Sequence, residues 1–249
     1  MAVDIPIHHD ETLDDLRLGG LKILQKKGGY RFSLDPVLLC AFAGFQGVER
    51  ICDLGCGSGV IPLILSRTSD ARRIVGVEIQ EESADRARRS VLLNGVQDRV
   101  EIVRRDVRSV REVLAAESCQ VVMTNPPYRR PGTGRLAPGD ERARARHELH
   151  GGLDDFLACA SYLLGTGGRF FMVHLAERLT DVLAGMRQAG LEPKRLRCVH
   201  SRYGESARMI LVEGRRGGAP GLALEAPLFV YDKSGKGYSE EVLGFYGED

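Results

Sequence analysis

The stretch that decides the fold runs from Ile51 to Pro62 and reads ICDLGCGSGVIP. A short apolar run enters a cluster of glycines and an apolar helical pattern follows, which predicts a strand, a turn and a helix. Glycines at the start of a helix let a ligand approach the backbone closely. Their spacing differs from a dinucleotide fingerprint, because Val60 stands where a third glycine, three places after Gly57, is required. The turn therefore predicts a binding site for a different ligand.

Acidic residues mark the ends of three successive apolar runs. Asp53 lies inside the first strand end, where it would repel a pyrophosphate but accept a hydrogen bond from a cationic amino group. Glu78 ends the next run, nineteen residues after Gly59, about where an acid that binds ribose hydroxyls belongs. Asp106 follows the third run and can accept from an adenine amine. The three acids predict a ligand with an amino-acid end, a ribose and an adenine, as S-adenosylmethionine has.

The apolar run from Val121 to Thr124 leads into Asn125-Pro126-Pro127-Tyr128. Two prolines fix φ and remove two backbone donors, so the chain leaves the strand rigidly, with the Asn125 amide and the Pro126 carbonyl as acceptors. An aromatic face beside paired acceptors suits a flat ring that carries an exocyclic amine. An ordinary turn at a strand end is the alternative for this motif taken alone.

Together these patterns resemble the class I, Rossmann-like methyltransferases. Asp53 to Gly59 resembles their first motif, and Asn125 to Tyr128 resembles their amino-methylating motif. The N-terminal stretches LGGLKILQ from Leu18 and GYRFSLDPVLL from Gly29 are similar to the tRNA1(Val) (adenine N6)-methyltransferase family, whose members modify the adenine just 3′ of the anticodon. The likeness extends over nearly the whole chain, and these three blocks are its specific part.

The resemblance implies an α/β fold of the Rossmann-like class I methyltransferase type. Such a fold has a mostly parallel seven-stranded sheet with helices on both faces and an antiparallel last strand. A single methyltransferase domain would span residues 1–249, with an N-terminal extension and a helix over the cofactor site at 1–49 and the core at 50–249. The alternation of strand and helix patterns along the chain also predicts a parallel sheet covered on both faces.

Local patterns predict individual elements. Ser33 is expected to cap a helix from Leu34 to about Ala43. Further helices are expected at 58–67, 81–94, 153–164 and 179–189. Glycines at 165–168 are expected to end the helix at 153–164. Late strands are expected at 169–174, 195–200 and 207–213, with a weaker strand at 222–231.

The resemblance also implies roles for individual residues. Catalytic roles in methyl transfer to an exocyclic nitrogen fall to Asn125, Pro126 and Tyr128. The residues implied to bind the cofactor, S-adenosyl-L-methionine, are Arg31, Phe32, Ser33, Asp53, Gly55, Cys56, Gly57, Glu78, Ile79, Asp106, Val107 and Asn125. An ordinary helix cap and a core residue explain Ser33 and Phe32 equally well.

The net charge of +1 is low for an enzyme that acts on nucleic acid, so a local basic segment has to provide the contacts. Residues 129–150 hold six arginines and three acids in a stretch rich in glycine and proline. Arg129, Arg130 and Arg135 are expected to contact phosphates of the substrate RNA. A solvated loop without a specific role is the alternative.

Composition places further limits on the function. With 43% hydrophobic residues, the chain can build a sizeable core. It has no apolar run long enough to span a bilayer and no signal-peptide pattern, so a cytoplasmic location without membrane partners is expected. The six cysteines are scattered without a CxxC pair, which predicts reduced, packed thiols and no metal site. The expected partner is tRNA, bound by a monomer or a homodimer.

Other functions are open for the same motifs. Asn-Pro-Pro-Tyr also serves enzymes that methylate a glutamine side chain of release factors, a DNA adenine or a ribosomal guanine. The first fifty residues are too few for the helical domain that usually accompanies release-factor enzymes, and a DNA-recognition domain has no room. A non-catalytic S-adenosylmethionine-binding protein is a further alternative, although it need not keep Asn125 and Tyr128 together.

Overall fold

The computed structural model describes residues 5–28, 33–44, 46–127 and 151–247. Within these ranges nine strands form one sheet. They are β3 Arg50–Leu54, β4 Arg73–Glu78, β5 Val100–Arg104, β6 Cys119–Thr124, β7 Leu164–Leu175, β8 Leu191–His200, β9 Ala207–Arg216, β10 Ala223–Leu224 and β11 Leu228–Phe229. Their order in the sheet is β10-β8-β9-β7-β6-β3-β4-β5, and β11 also pairs with β8. Strands β3 to β7 all run parallel to one another, whereas β9 runs antiparallel to both β7 and β8. The predicted fold class is confirmed, with β3 to β9 as the seven predicted strands, and the two-residue strands β10 and β11 bring the sheet to nine.

Helices cover both faces of the sheet. They are α1 Asp35–Ala43, α2 Val60–Thr68, α3 Glu81–Leu93, α4 Leu153–Leu163, α5 Leu179–Gln188 and α6 Glu240–Gly244, with 3-10 turns at Val107–Glu112 and Ala176–Arg178. Helices α1 to α3 share a core with Val121 and Met123, and α4 and α5 share a second core with Val122 and Met172. Successive residues of a strand thus point into different cores, which explains why the central strands are apolar without alternation.

Helix α3 forms where the sequence predicts it. Glu81 and Glu82 occupy its first turn, where the helix dipole favours negative charge. The helix ends at Asn94, and Gly95 follows with φ of 65°. A left-handed residue at this position is typical of helix ends and favours glycine.

Helix α1 begins one residue later than predicted. Its N-cap is Leu34, whose backbone is already helical and whose carbonyl accepts from Leu38 N. Ser33 directly precedes this helical residue, and its role as the cap stays a prediction. Asp35 and Pro36 do occupy the first turn, as their residue types favour.

Strand β7 is longer than the predicted strand at 169–174. Leu164 pairs with Cys119, but the next pair is Arg169 with Val121, so residues 165–168 bulge out of the ladder. The glycines follow the end of α4, as predicted, and they also allow this irregularity inside the strand. The weak strand predicted at 222–231 resolves into the two short strands β10 and β11.

A hairpin that the sequence analysis did not predict precedes α1. Strands β1 Glu11–Asp15 and β2 Lys22–Lys26 pair antiparallel. Glu11 is 4% exposed and receives hydrogen bonds from both terminal nitrogens of Arg89 on α3. This arginine lowers the pKa of Glu11 to about 2. Ser90 Oγ accepts from Leu24 N at 3.0 Å, so the hairpin is tied to α3 by buried polar contacts.

One buried acid fixes the antiparallel strand. Glu213 on β9 is 4% exposed and lies between two arginines of the flanking strands. Arg169 Nε is 3.0 Å from one carboxylate oxygen, and Arg195 Nη1 is 2.7 Å from the other. Because both oxygens have charged donors, this carboxylate can be buried at the centre of three strands.

The six cysteines carry free thiols. Four of them are buried and two are half-buried, as expected for thiols that pack as small hydrophobes. Among the helices of the described ranges, none combines the length and the apolar character needed to cross a membrane.

Candidate active site at the carboxyl edge of the sheet

The predicted site residues meet where β4, β3 and β6 lie side by side. Leu54 of β3 is paired with Val77 of β4 on one side and with Thr124 of β6 on the other. The carboxyl ends of these parallel strands therefore deliver Asp53, Glu78 and Asn125 to one edge. The strand order reverses between β3 and β6, and such a reversal creates a crevice in which open α/β sheets bind ligands.

The glycine-rich turn is held by the end of β4. The amides of Gly55 and Cys56 both donate to Val77 O, at 2.8 and 3.0 Å. Gly57 N donates to Glu78 Oε2 at 2.9 Å. The turn is therefore fixed before any ligand binds.

Two glycines of the turn have different reasons to lack a side chain. Gly55 has φ of 73°, and a Cβ there would lie 3.1 Å from Phe156 Cε1, so close packing excludes one. Gly57 has φ of 56°, but a Cβ there would meet no atom of the described residues within 4 Å. The backbone of Gly57 therefore faces open space beside Glu78, which suits the close approach of a ligand.

Asp53 is the clearest sign of a missing polar partner. Its side chain is 1% exposed, and neither carboxylate oxygen has a donor within the described ranges. Burial, and secondly the charge of Glu78, raise the pKa of Asp53 well above its usual value. A buried carboxylate without a donor is costly, so this arrangement fits a ligand that brings a cationic amino group.

Glu78 is also buried, but its orientation is fixed. Oε1 accepts from Gln80 N at 2.8 Å while Oε2 accepts from Gly57 N. A carboxylate has about four acceptor positions, so two are left for the hydroxyls of a ribose. Ile79 follows and is half-buried.

Asp106 lies at the end of the neighbouring strand β5. It caps the 3-10 turn by accepting from Arg108 N at 2.9 Å, and both its oxygens also accept from the Arg108 guanidinium. An adenine amine would have to share the carboxylate with this arginine, so the adenine contact of Asp106 stays a prediction. Val107 is 7% exposed and packs in the core of α4 and α5.

The start of the Asn-Pro-Pro motif is locked to the glycine-rich strand. Thr124 is fully buried, and its Oγ1 donates to Leu54 O at 2.8 Å. Asn125 is half-buried, Pro126 is buried and Pro127 is exposed. Thr124 has no predicted role, although a hydroxyl at the end of a buried apolar strand is a signal that can be recognised from the sequence.

Several predicted residues fall outside the described ranges. These are Arg31, Phe32, Tyr128, Arg129, Arg130 and Arg135. Ser33 is described and half-buried, immediately before α1. The roles of these residues stay predictions.

One group of potential metal ligands occurs in the described part of the chain. Donor atoms of His8, Glu11 and Asp85 lie within 4.8 Å of one another. Arg89 lies among them, with its Nε 2.8 Å from Asp85 Oδ2 and its terminal nitrogens on Glu11. The guanidinium of Arg89 thus already pairs with the carboxylates of Glu11 and Asp85.

A separate cavity of about 490 Å³ opens at the opposite edge of the sheet. Its lining includes Arg50, Cys119 and Gly167, at the amino ends of β3 and β6 and in the bulge of β7. Its lining contains none of Asp53, Glu78 and Asn125, so this cavity is separate from the candidate active site.

Comparisons with known proteins agree with this geometry. Residues 37–184 match the family described as methyltransferase small domain. The chain is 34% identical over 161 residues to a tRNA1(Val) (adenine(37)-N6)-methyltransferase of Erwinia tasmaniensis, a match that covers 63% of each chain. It is 31% identical over 186 residues to the protein of the same name from Aeromonas hydrophila, covering 74% of this chain and 75% of that one.

Solved structures show the same fold. A predicted O-methyltransferase from Agrobacterium tumefaciens superposes with a TM-score of 0.68 at 22% identity, covering 86% of this chain and 96% of the other. A geranyl diphosphate C-methyltransferase from Streptomyces coelicolor, solved with S-adenosyl-L-homocysteine, superposes with a TM-score of 0.53 at 14% identity, covering 73% and 76%. The family match spans more than half of the sequence and contains Asp53, Glu78 and Asn125. The chain therefore belongs to the methyltransferase small domain family.

Proposed function

We propose that this chain transfers a methyl group from S-adenosyl-L-methionine to the exocyclic N6 amine of an adenine in tRNA, the adenine 3′ of the anticodon. The observation that carries the proposal is the position of Asn125-Pro126. They follow β6 directly, beside Asp53, which is buried and has no donor among the described residues, and Thr124 ties them to the same strand end.

The residues at the edge of the sheet fit the three parts of the cofactor. Asp53 would accept from its cationic amino group, which would remove the cost of the buried carboxylate. Glu78 would accept from ribose hydroxyls, and the open side of Gly57 leaves room for the ligand beside it. Asp106 would accept from the adenine amine. When bound, the cofactor supplies an electrophilic methyl group on a positively charged sulfur.

Asn125 and Pro126 would orient the substrate amine. An aromatic amine is a weak nucleophile because its lone pair is delocalised into the ring. The Asn125 side-chain oxygen and the Pro126 carbonyl would each accept one N–H, which favours a pyramidal nitrogen and directs its lone pair towards the methyl group. No strong base is required, since the proton can leave after transfer. The contribution of the protein is thus orientation and the exclusion of water.

Support for tRNA as the substrate comes from the relatives and from the motif. The relatives from Erwinia and Aeromonas are both named for adenine 37 of tRNA1(Val). Tyr128 follows the acceptors directly and would stack on the extruded base, a type of contact worth about 1–3 kcal/mol in other nucleic-acid sites. Arg129, Arg130 and Arg135 would bind phosphates near that base.

The test is transfer of labelled methyl from S-adenosylmethionine into total tRNA that lacks the modification, followed by nucleoside analysis. We expect a new N6-methyladenosine peak that disappears in Asn125→Ala. Gln120→Ala is the matched control, because it removes an exposed amide from the other end of the same strand and should keep activity. Label in protein or DNA instead of RNA would retain methyl transfer and refute the tRNA substrate.

A further inference from the structure

A group of aromatic and basic side chains lies at the same edge of the sheet as the candidate site. Strand β8 ends at His200 and is antiparallel to β9, which is itself antiparallel to β7. Strand β8 therefore runs in the direction of β6 and β7, and its carboxyl end is on the edge where Asn125 lies. Strand β11 is parallel to β8 and pairs Phe229 with His200, so the segment after it reaches this edge as well.

The first part of this group is a stack of two rings beneath a cation. Tyr203 lies on Phe229 with 3.8 Å between the ring centres and an angle of 12°. Lys233 Nζ is 6.0 Å from the centre of the Tyr203 ring. Tyr203 is 56% exposed although a large aromatic side chain gains from burial.

The second part is a row of tyrosines. The rings of Tyr231 and Tyr238 lie 5.8 Å apart, and those of Tyr238 and Tyr246 lie 6.4 Å apart at an angle of 9°. The guanidinium carbon of Arg202 is 5.2 Å from the centre of the Tyr231 ring. Tyr238 is 39% exposed, so this row also reaches the solvent.

A tight hairpin holds the second row and carries the lysines. Asp232 N donates to Gly237 O at 3.0 Å, and Ser239 N donates to Val230 O at 2.9 Å. Lys233 and Lys236 are exposed at its tip. The lysines are thus presented by fixed backbone, which reduces the entropy lost on binding.

The charge of the group favours an anionic partner. The segments 200–208 and 229–238 contain four cationic side chains, Arg202, Arg208, Lys233 and Lys236, and two acidic ones, Glu205 and Asp232. Glu205 is 3.7 Å from Arg202, a loose contact between exposed groups. Glu240 and Glu241 follow between Tyr238 and Tyr246, and Glu241 accepts from both terminal nitrogens of Arg197. With these residues counted, five cations stand against four acids, a local surplus of one positive charge.

We propose that this surface, formed by Arg202, Tyr203, Tyr231, Lys233 and Tyr238, binds an unpaired segment of the tRNA substrate. Aromatic side chains that reach the solvent beside arginine and lysine suit single-stranded RNA, because bases stack on the rings while phosphates pair with the cations. The inference rests on the proposed function, since it names a second contact for the same tRNA.

The distance to the site agrees with a single continuous ligand. In the sheet, β8 is three strand spacings from β6, which amounts to about 14 Å at about 4.8 Å for each spacing. Stacked nucleotides are separated by about 3.4 Å, so about four of them bridge this distance. An RNA loop whose adenine enters the site therefore reaches the aromatic and basic surface with its neighbouring nucleotides.

The test measures binding of unmodified tRNA to the full chain over a range of salt concentrations. Tyr203→Ala should weaken binding about tenfold, whereas Tyr203→Phe, which keeps the ring, should bind like the parent. The double variant Arg202→Ala/Lys233→Ala should also lower the slope of log affinity against log salt by about 1.5, as expected for two lost phosphate contacts. Arg50→Ala/Arg72→Ala removes two exposed cations from the opposite edge and should leave both values unchanged.

Methyl transfer, measured separately, distinguishes this inference from the proposed function. If the parent methylates tRNA but Tyr203→Ala and the double variant bind it with unchanged affinity and salt slope, the surface is refuted and the function stands. If the parent binds tRNA in a manner that depends on Tyr203 but labels no RNA, the proposed substrate is refuted and the surface stands. Failure of the parent to bind tRNA refutes the surface.

Discussion

The side chain of Thr124 donates a hydrogen bond to the backbone carbonyl of Leu54, with 2.8 Å between the two oxygens. Leu54 is the last residue of β3, directly before the glycine-rich turn, and Thr124 is the last residue of β6, directly before Asn125. The contact therefore joins the segment proposed to bind the cofactor to the segment proposed to orient the substrate amine.

Thr124→Val keeps the shape of the side chain but removes the donor. We expect it to lower the free energy of unfolding by about 1–2 kcal/mol, because it leaves a buried carbonyl with one acceptor position unused. The rate of methyl transfer should fall about tenfold, with cofactor affinity held within a few-fold, since the Asn125 acceptors lose their alignment.

Ser66→Ala is the matched control. Ser66 is buried, and its Oγ donates to Leu63 O at 2.6 Å within α2, away from the candidate site. This variant should keep the rate of methyl transfer. Equal losses of rate in the two variants would show that Thr124 acts only through general stability.

Asp53→Asn should separate cofactor binding from stability. The raised pKa of Asp53 means that the folded protein binds this proton more tightly than the unfolded chain does. Its stabilising contribution is therefore full below the ordinary carboxyl pKa of 3.8 and is lost as the pH rises above it. An asparagine does not titrate.

Without cofactor, the stability of Asp53→Asn relative to the parent should thus improve as the pH rises from 4 to 8. Cofactor affinity should fall at least tenfold, because the cationic amino group loses its charged acceptor. Denaturation at several pH values and calorimetric titration with cofactor measure the two effects, with Asp98→Asn as the control at an exposed position. A stability difference that is independent of pH would contradict the prediction.

How far the sequence predicts the structure depends on the range of the interactions. Helix α3 was predictable because its first-turn glutamates, its apolar stripe and Gly95 are all local signals. The bulge at 165–168 was not, since its glycines indicate a turn until the pairing of β7 with β6 places them within a strand.

The β1–β2 hairpin and the state of Asp53 depend on distant residues. Glu11 is buried only because Arg89, 78 residues further along the chain, neutralises it. The position of Asp53 at a strand end was readable from the sequence, but its burial without a donor among the described residues depends on how β4 and β6 flank it in the sheet. The motifs thus predicted which residues meet, and packing decided their electrostatics.

Acid should weaken the attachment of the hairpin. Because the folded pKa of Glu11 is lowered from 4.5 to about 2, its stabilising contribution is present above pH 4.5 and is lost as the pH falls towards 2. Glu11→Gln should therefore cost about 3 kcal/mol of unfolding free energy at pH 7 and much less near pH 2.

The exposed pair between Glu82 and Lys26 links the same hairpin and helix and provides the control. Glu82→Gln should cost much less at pH 7 than Glu11→Gln does, because solvent screens the pair. Chemical denaturation at pH 7, 4 and 2.5 measures both variants. A cost for Glu11→Gln that stays constant with pH would show that its charge is not responsible.

Tyr128 tests whether the proposed base-binding site works by stacking. Tyr128→Phe keeps the aromatic face and should keep most of the kcat/KM for tRNA. Tyr128→Ala removes the face and should lower kcat/KM about 5- to 150-fold, which corresponds to about 1–3 kcal/mol of base stacking. Initial rates of labelled methyl transfer over a series of tRNA concentrations measure both. Equal rates in the two variants would exclude stacking, whereas a loss already present in Tyr128→Phe would assign the contribution to the hydroxyl group and require a polar contact with the base.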